Sequence, residues 1–460
     1  MFAGIAASAS AQTTEITITG ATAFRQAAMR AIYDAYVSAG AAGTTFNVAH
    51  DFNGANISQL IASNKAIFSG TFPGITGTTV IRTSFNGSTE GLNAIAGNSN
   101  PSFLTAAALT SGNFTAGIKD LATGTETLRP KFSFSDVYQS TSPVDTDLNN
   151  APIALNPVGS SAVGIVTFCM IANEGAPSDL DNVTIQQCRK LWETGVLPLS
   201  LFTGDPSDHP TYTVNGTLSP SADAAYVLAT GRNDGSGTRA AYLTEWTFGV
   251  ANLVNQYTAV NGGTSSSGNG SISKLTLVPA NGIGNGTFST NRTSDASTLW
   301  GNTNVGNGGY SSSSALRTLM GYTSSNVTIY NGVDQAPDFE NQKVVLLTWL
   351  STADSLNAST NGAKILGYNG VKVTPVSSGS YANSGFNEAD FKKIATGAYS
   401  AWSYQHLYYH GSLSAAEQTW YDAMKATYLP SGLQITSNGV RLEDVTVSRS
   451  DDGFPIVAPL

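Results

Sequence analysis

The sequence predicts an α/β fold in two lobes, each a mostly parallel sheet flanked by helices. Two observations carry that expectation. Short β-rich runs alternate with helix-like stretches along most of the chain, the pattern of strand–helix–strand units that build parallel sheets. A length of 460 residues also exceeds what one hydrophobic core organises easily, which favours two domains or a discontinuous pair. In chain order, ITITG (16–20) reads as a strand, and ATAFRQAAMRAIYDAYVSAG as an amphipathic helix stopped by Gly40. TTVIRTSF (78–85) is a second strand, followed by NGSTEGLNAIAG, a turn opening a helix. FSFSD (132–136) is a strand ending in an acid, IALNPVGSSAVGIVTFCMIAN is a long β-like stretch, and NVTIQQCRKLWETG is a helix. YVLATG (226–231) is a strand running into the turn TGRNDGSGT (230–238) and then the helix-like RAAYLTEWTFGVANLV. Residues 261–325, rich in Gly, Ser and Asn, are expected as long surface loops. KVVLLTWL (343–350), GAKILGYNGVKVTP (362–375) and AYSAWSYQHLYY (398–409) then restore order.

Composition narrows the setting. Only 12% of residues are charged, with 22 Lys and Arg against 31 Asp and Glu, giving a net charge of −9. Nucleic acid and anionic membrane surfaces need a basic face and are excluded as general partners. A small anion is not excluded, because it feels the local donors of a cleft. MFAGIAASASA (1–11) reads as the tail of a signal peptide with an A-x-A cleavage site, so export is expected. No stretch approaches the roughly 20 apolar residues of a membrane span. Cys169 and Cys188 leave two readings open, a strand-to-helix disulfide or two buried thiols.

In open α/β sheets ligands sit beyond the carboxyl ends of strands, so the polar turns there are the places to seek function. TGRNDGSGT holds the richest set. The first N–H groups of a helix lack intrahelical partners and carry the positive end of its dipole. Gly235 and Gly237 let that backbone approach a ligand, Ser236 and Thr238 add hydroxyl donors, and Arg232 supplies a fork of charged donors. This is the equipment for holding a small tetrahedral oxyanion.

Three further turns accompany it: GATAF (20–24), GSTEG (87–91) and FSFSD (132–136). With these four turns in this order, the chain resembles the periplasmic phosphate-binding proteins of ABC transporters, in the type II periplasmic-binding-protein superfamily. NVTIQQCRKLWETGVLPLS and ATGAYSAWSYQHLYY extend the resemblance over most of residues 15–430. It implies a two-lobed Venus-flytrap fold binding inorganic phosphate between the lobes. Arg232 would give charged hydrogen bonds, oriented by Asp234, while Ser236, Gly237 and Thr238 would donate from a helix N-terminus. Ser88 would donate from the other lobe, and Phe24 would contribute near the anion. Ala23 stands where the family has a Thr, so that hydroxyl donor is either missing or supplied by Thr22. Asp136 would select the ligand: a carboxylate only accepts, so it needs a proton that hydrogen phosphate has and sulfate lacks. An ABC permease is the implied partner, with no cofactor, no enzymatic activity and a monomeric state.

Plainer readings stand beside these. Asp136 could cap a helix starting at Val137, Ser88 could be an N-cap, and Arg232 could pair structurally with Asp234 or Glu245. His406 and His410 form an HxxxH pair without an acidic partner, and Asp145-Thr-Asp147-Leu-Asn149 lacks the glycine and final Glu of a calcium loop. Asp205 and Asp208 read as exposed loop acids. The expected lobes are 12–155 with 400–460, and 156–399, with Ser88 and Asp136 facing Arg232 to Thr238. A second reading keeps the fold but drops transport, giving a secreted or surface-attached protein for adhesion or phosphate scavenging. A third gives another small oxyanion as ligand.

Overall fold

A computed structural model describes residues 12–110, 112–156, 161–259, 270–278, 308–310, 312–331, 337–377, 381–436 and 439–458. The proposed signal-peptide tail (1–11) and much of the Gly/Ser/Asn-rich stretch lie outside these residues. The chain is α/β and divides into two compact units. The first comprises Met1–Ser135, Val144–Gly164 and Gln405–Thr436, and the second Asp136–Pro143, Ile165–Tyr404 and Ser437–Leu460.

In the first unit the strand Thr13–Gly20 pairs in parallel with both Thr78–Ser84 and Phe132–Ser135. Lys65–Gly70 and Phe46–His50 extend the sheet by antiparallel pairing, and Trp402–Tyr409 returns antiparallel to Phe132–Ser135. The sheet is therefore mixed, and parallel where strands end in the polar turns. The helix Arg25–Ala39 buries Ala27, Ala28, Ala31, Ile32, Ala35 and Tyr36 along one face, as its sequence spacing requires. Its partner is the helix Leu429–Thr436. A Cβ at Gly432 would fall 2.5 Å from the Ala27 carbonyl oxygen, so only glycine permits this approach. Tyr36 packs on Phe46, Phe68 and Phe72 at ring separations of 5.2 to 5.7 Å, and its hydroxyl donates to the Thr79 carbonyl at 2.8 Å.

In the second unit Tyr226–Ala229 and Val344–Ser351 pair in parallel, with Ala162–Ala172 antiparallel beside the latter. Every residue of Val344–Ser351 is buried, as a continuous apolar run implies for a strand covered on both faces. The helix Ile185–Thr194 begins with a capping box between Thr184 and Gln187 and ends at Gly195 in the left-handed conformation. Trp192, Tyr242 and Trp246 stack at 4.7 to 5.6 Å, and Trp349 meets Trp246 edge-on.

Three expectations about organisation change. The low-complexity stretch is not all surface loop: Lys274–Leu277 is a strand in a four-stranded sheet, Ser313–Met320 is a helix, and Tyr310 is fully buried. Residues 437–460, assigned from sequence to the first lobe, belong to the second unit, because Val440 pairs with Ile165 and Arg449 with Glu245. Asp136–Pro143 also groups with the second unit, where Asp452 accepts hydrogen bonds from Tyr138 and Thr141. Asp136 and Arg232 therefore share a unit. Cys169 and Cys188 are separate buried thiols, and burial raises both, Cys169 to about 12. Among the described residues no helix is long and apolar enough to cross a membrane.

Candidate functional site

The sequence-selected residues collect at strand ends within each unit. In the first unit, Gly20, Ser84 and Ser135 terminate three adjacent parallel strands. The Gly87 N–H donates to the Gly20 carbonyl at 2.9 Å, which seats the start of the helix Ser88–Ala96 on the end of the first strand. Gly91 is required there, since a Cβ would come within 2.6 Å of the Gly20 Cα and 2.3 Å of the Ser133 hydroxyl. The cap position is Gly87, and Ser88 is the first helical residue, 1% exposed. Thr22 is half-buried on the turn between strand and helix, and Phe24 is fully buried against Phe134 at 5.3 Å. Thr22 and Phe24 thus follow the carboxyl end of Thr13–Gly20, and Ser88 follows that of the adjacent strand Thr78–Ser84.

In the second unit the turn after Tyr226–Ala229 carries Arg232 and opens the helix Gly237–Glu245. Ser236 is the N-cap, its hydroxyl oxygen accepting the Arg239 N–H at 3.4 Å, so its own hydrogen remains a donor. Gly237 and Thr238 are the first helical residues, both buried, with N–H groups that lie outside the i→i−4 ladder. Arg232 is 1% exposed. Its Nε donates to the Tyr310 carbonyl at 2.9 Å and Nη1 to the Ser313 hydroxyl at 2.6 Å. Burial lowers its pKa, and the charges of Asp354 and Asp136 oppose that shift. A buried cation beside a helix N-terminus is chemically suited to an anion.

Beneath the turn, Gln256 makes four bonds: Nε2 donates to the carbonyls of Arg232 (3.2 Å) and Gly308 (2.7 Å). Its Oε1 accepts from Tyr242 (2.9 Å) and Trp192 (3.1 Å). A fully satisfied buried amide fixes the turn's geometry. A Cβ at Gly309 would lie 2.4 Å from the Arg232 carbonyl oxygen, and one at Gly231 would lie 2.1 Å from the Gln256 Oε1.

Several expected roles are corrected. Asp234 does not orient Arg232: it is exposed, and no hydrogen bond or ion pair joins the two among the described residues. Tyr310 and Ser313 hold the guanidinium instead, and sequence reasoning missed both because they sit in the Gly/Ser-rich stretch. Arg239, 4% exposed on the helix beside Thr238, was missed as well; its Nη1 reaches the Arg232 carbonyl at 3.5 Å. No helix begins at Val137, so Asp136 is not an N-cap; it follows its strand directly and is 1% exposed. Glu245 pairs with Arg449, not Arg232. Asp208 is not an exposed loop acid but is buried, accepting from Thr203 and Ser221 at 2.6 and 2.7 Å.

The rival metal readings gather no ligand set. His406 is buried against the Ser161 hydroxyl at 2.8 Å, and burial lowers its pKa to about 3. His410 lies against Arg129 at 3.2 Å. Asp147 accepts the N–H groups of Asn149 and Ala151, closing a local turn. Among the described residues no group of His, Cys, Asp and Glu could hold a metal ion.

No family model and no curated protein matches the chain. Solved structures similar to it include three phosphate-transport proteins. A protein of Clostridium perfringens, described as a phosphate ABC transporter substrate-binding protein with bound phosphate, is 12% identical at a TM-score of 0.41, covering 93% of this chain and 100% of its own. An ABC-type phosphate transport receptor from Vibrio cholerae is 9% identical at 0.38, covering 92% and 99%. PstS from Borrelia burgdorferi is 8% identical at 0.31, covering 92% and 97%.

Proposed function

We propose that the chain is an exported solute-binding protein that captures hydrogen phosphate, for uptake by an ABC permease. The observation that carries this reading is the buried Arg232 guanidinium, held by a carbonyl and a hydroxyl at the open N-terminus formed by Ser236, Gly237 and Thr238. Such a cluster places a positive charge, backbone N–H groups and hydroxyl donors where water is largely excluded, which strengthens their pull on an anion. Asp136 lies close enough for its charge to act on Arg232. Its carboxylate is proposed to accept the ligand's proton, which admits hydrogen phosphate and leaves sulfate facing an unmatched acceptor. The chemistry is binding: the cluster offers donors and one acceptor but no activated nucleophile.

A thermal-shift panel of oxyanions tests this reading. Phosphate should raise the melting temperature of the wild-type chain and leave Arg232→Ala unmoved. Equal stabilisation by sulfate, or an unchanged response in the mutant, would sink it.

A further inference from the structure

The C-terminal segment Arg449–Gly453 touches two elements that carry candidate site residues in the second unit. At one end Arg449, 5% exposed, pairs with Glu245 at 3.1 Å, and Glu245 ends the helix whose first turn holds Gly237 and Thr238. Arg449 also donates to the Ser400 carbonyl at 2.8 Å and lies 4.2 Å from the Trp402 ring. Gly453, at φ +70, comes so close to this helix that a Cβ would fall 2.3 Å from the Thr244 carbonyl oxygen. At the other end lies the segment that follows Asp136. Asp452 Oδ2 accepts the Tyr138 N–H at 2.7 Å and the Thr141 hydroxyl at 2.5 Å, and Asp451 accepts from the Ser140 hydroxyl at 2.8 Å.

These bonds matter because the Asp136 segment has little regular structure of its own. Its strand ends at Ser135, and only a short 3₁₀ turn, Gln139–Thr141, follows. A carboxylate that is to accept one proton from a ligand must be held within a fraction of an ångström. We propose that Asp452 is a positioning residue for Asp136, and that the C-terminal segment, anchored through Arg449 and Glu245, fixes the ligand-selecting carboxylate relative to the Gly237–Glu245 helix. The inference rests on the phosphate reading of Asp136. It assigns a binding role to a stretch more than 200 residues beyond the anion motif.

The side-chain geometry offers a discriminating pair of variants. Both accepted bonds fall on Oδ2, and Oδ1 has no hydrogen-bond partner among the described residues. Asp452→Asn keeps an acceptor for both bonds, whereas Asp452→Ala removes them. Calorimetric titration of the full chain with inorganic phosphate should show D452A about tenfold weaker, the cost of loosening one charge-matched contact. D452N should restore wild-type affinity. Amide exchange at residues 136–142 gives a readout that needs no ligand: faster in D452A, and as protected in D452N as in wild type. Should D452A not fold, Thr141→Val removes one bond and leaves the carboxylate, with an expected loss of about threefold. D452A, or T141V in its place, binding phosphate as wild type does would overturn the proposal, as would unchanged exchange at 136–142. Wild type that binds no phosphate would defeat the functional reading instead, while exchange still decides whether Asp452 orders the segment.

Discussion

Arg232 is the charged centre of the candidate site. Its guanidinium is buried, Nε and Nη1 donate to the Tyr310 carbonyl and the Ser313 hydroxyl, and desolvation lowers its pKa against the pull of Asp354 and Asp136. Its fixed fork of charged donors lies beside the helix N-terminus of Gly237 and Thr238, an arrangement suited to an anion. Arg232→Ala should therefore weaken phosphate binding by more than about 100-fold in calorimetry. Arg232→Lys should recover little, because an ammonium cannot reproduce the planar fork that reaches Tyr310 and Ser313. Wild-type affinity in the lysine variant would contradict the geometric argument. Asp136→Asn supplies a donor where only an acceptor stood, so it should gain sulfate binding relative to phosphate. A selectivity ratio unchanged from wild type would remove Asp136 from the site. At this scale the sequence was readable where the chemistry is local: Arg232, Ser236, Gly237 and Thr238 lie within seven consecutive residues. Tyr310 and Ser313 were not readable, because they meet Arg232 across 78 and 81 residues and their neighbours look like linker.

At the scale of elements, the site turns depend on close backbone approach. Gly309 passes the Arg232 carbonyl with no room for a side chain. Gly309→Ala should destabilise the chain by about 1–3 kcal/mol in urea unfolding, the usual cost of overpacking a tight contact, and should weaken phosphate binding as well. A variant as stable as wild type would show that the two segments separate more easily than the packing implies. The strands and helices flanking the motifs were legible from period and caps. Thr78–Ser84, Ser88–Ala96, Tyr226–Ala229 and Val344–Ser351 all lie where the sequence pattern places them. Among the described residues of the long stretch 153–173, the strand covers Ala162–Ala172. The order of the described residues 270–278, 308–310 and 312–331 was hidden for a physical reason: Gly, Ser and Asn carry weak local preferences. Tyr257–Ala259, Lys274–Leu277 and Val327–Tyr330 gain their structure by pairing with one another.

For the molecule as a whole, stability should depend on pH through buried acids. Burial raises Asp452 from 3.8 to about 7, with Asp451 adding to the shift and Thr141, Tyr138 and Arg449 opposing it. The folded chain therefore holds a proton that the unfolded chain releases between about pH 4 and 7, so this group's contribution falls as pH rises through that window and is flat above it. Glu245 is raised in the same sense, whereas buried His406, lowered to about 3, acts oppositely. Comparing D452N with wild type isolates the Asp452 part. The variant's melting temperature should gain on wild type from pH 4 to 7, and parallel curves would contradict the assignment. The α/β class was legible across the whole chain. The destinations of 136–143 and 437–460 are set by hydrogen bonds and an ion pair that no periodicity records. The central claim is selective phosphate capture, and its most direct test is calorimetric titration of the full chain with phosphate and with sulfate near neutral pH. The account predicts saturable phosphate binding, with sulfate at least about tenfold weaker. No phosphate heat, or sulfate binding equally tightly, would contradict it.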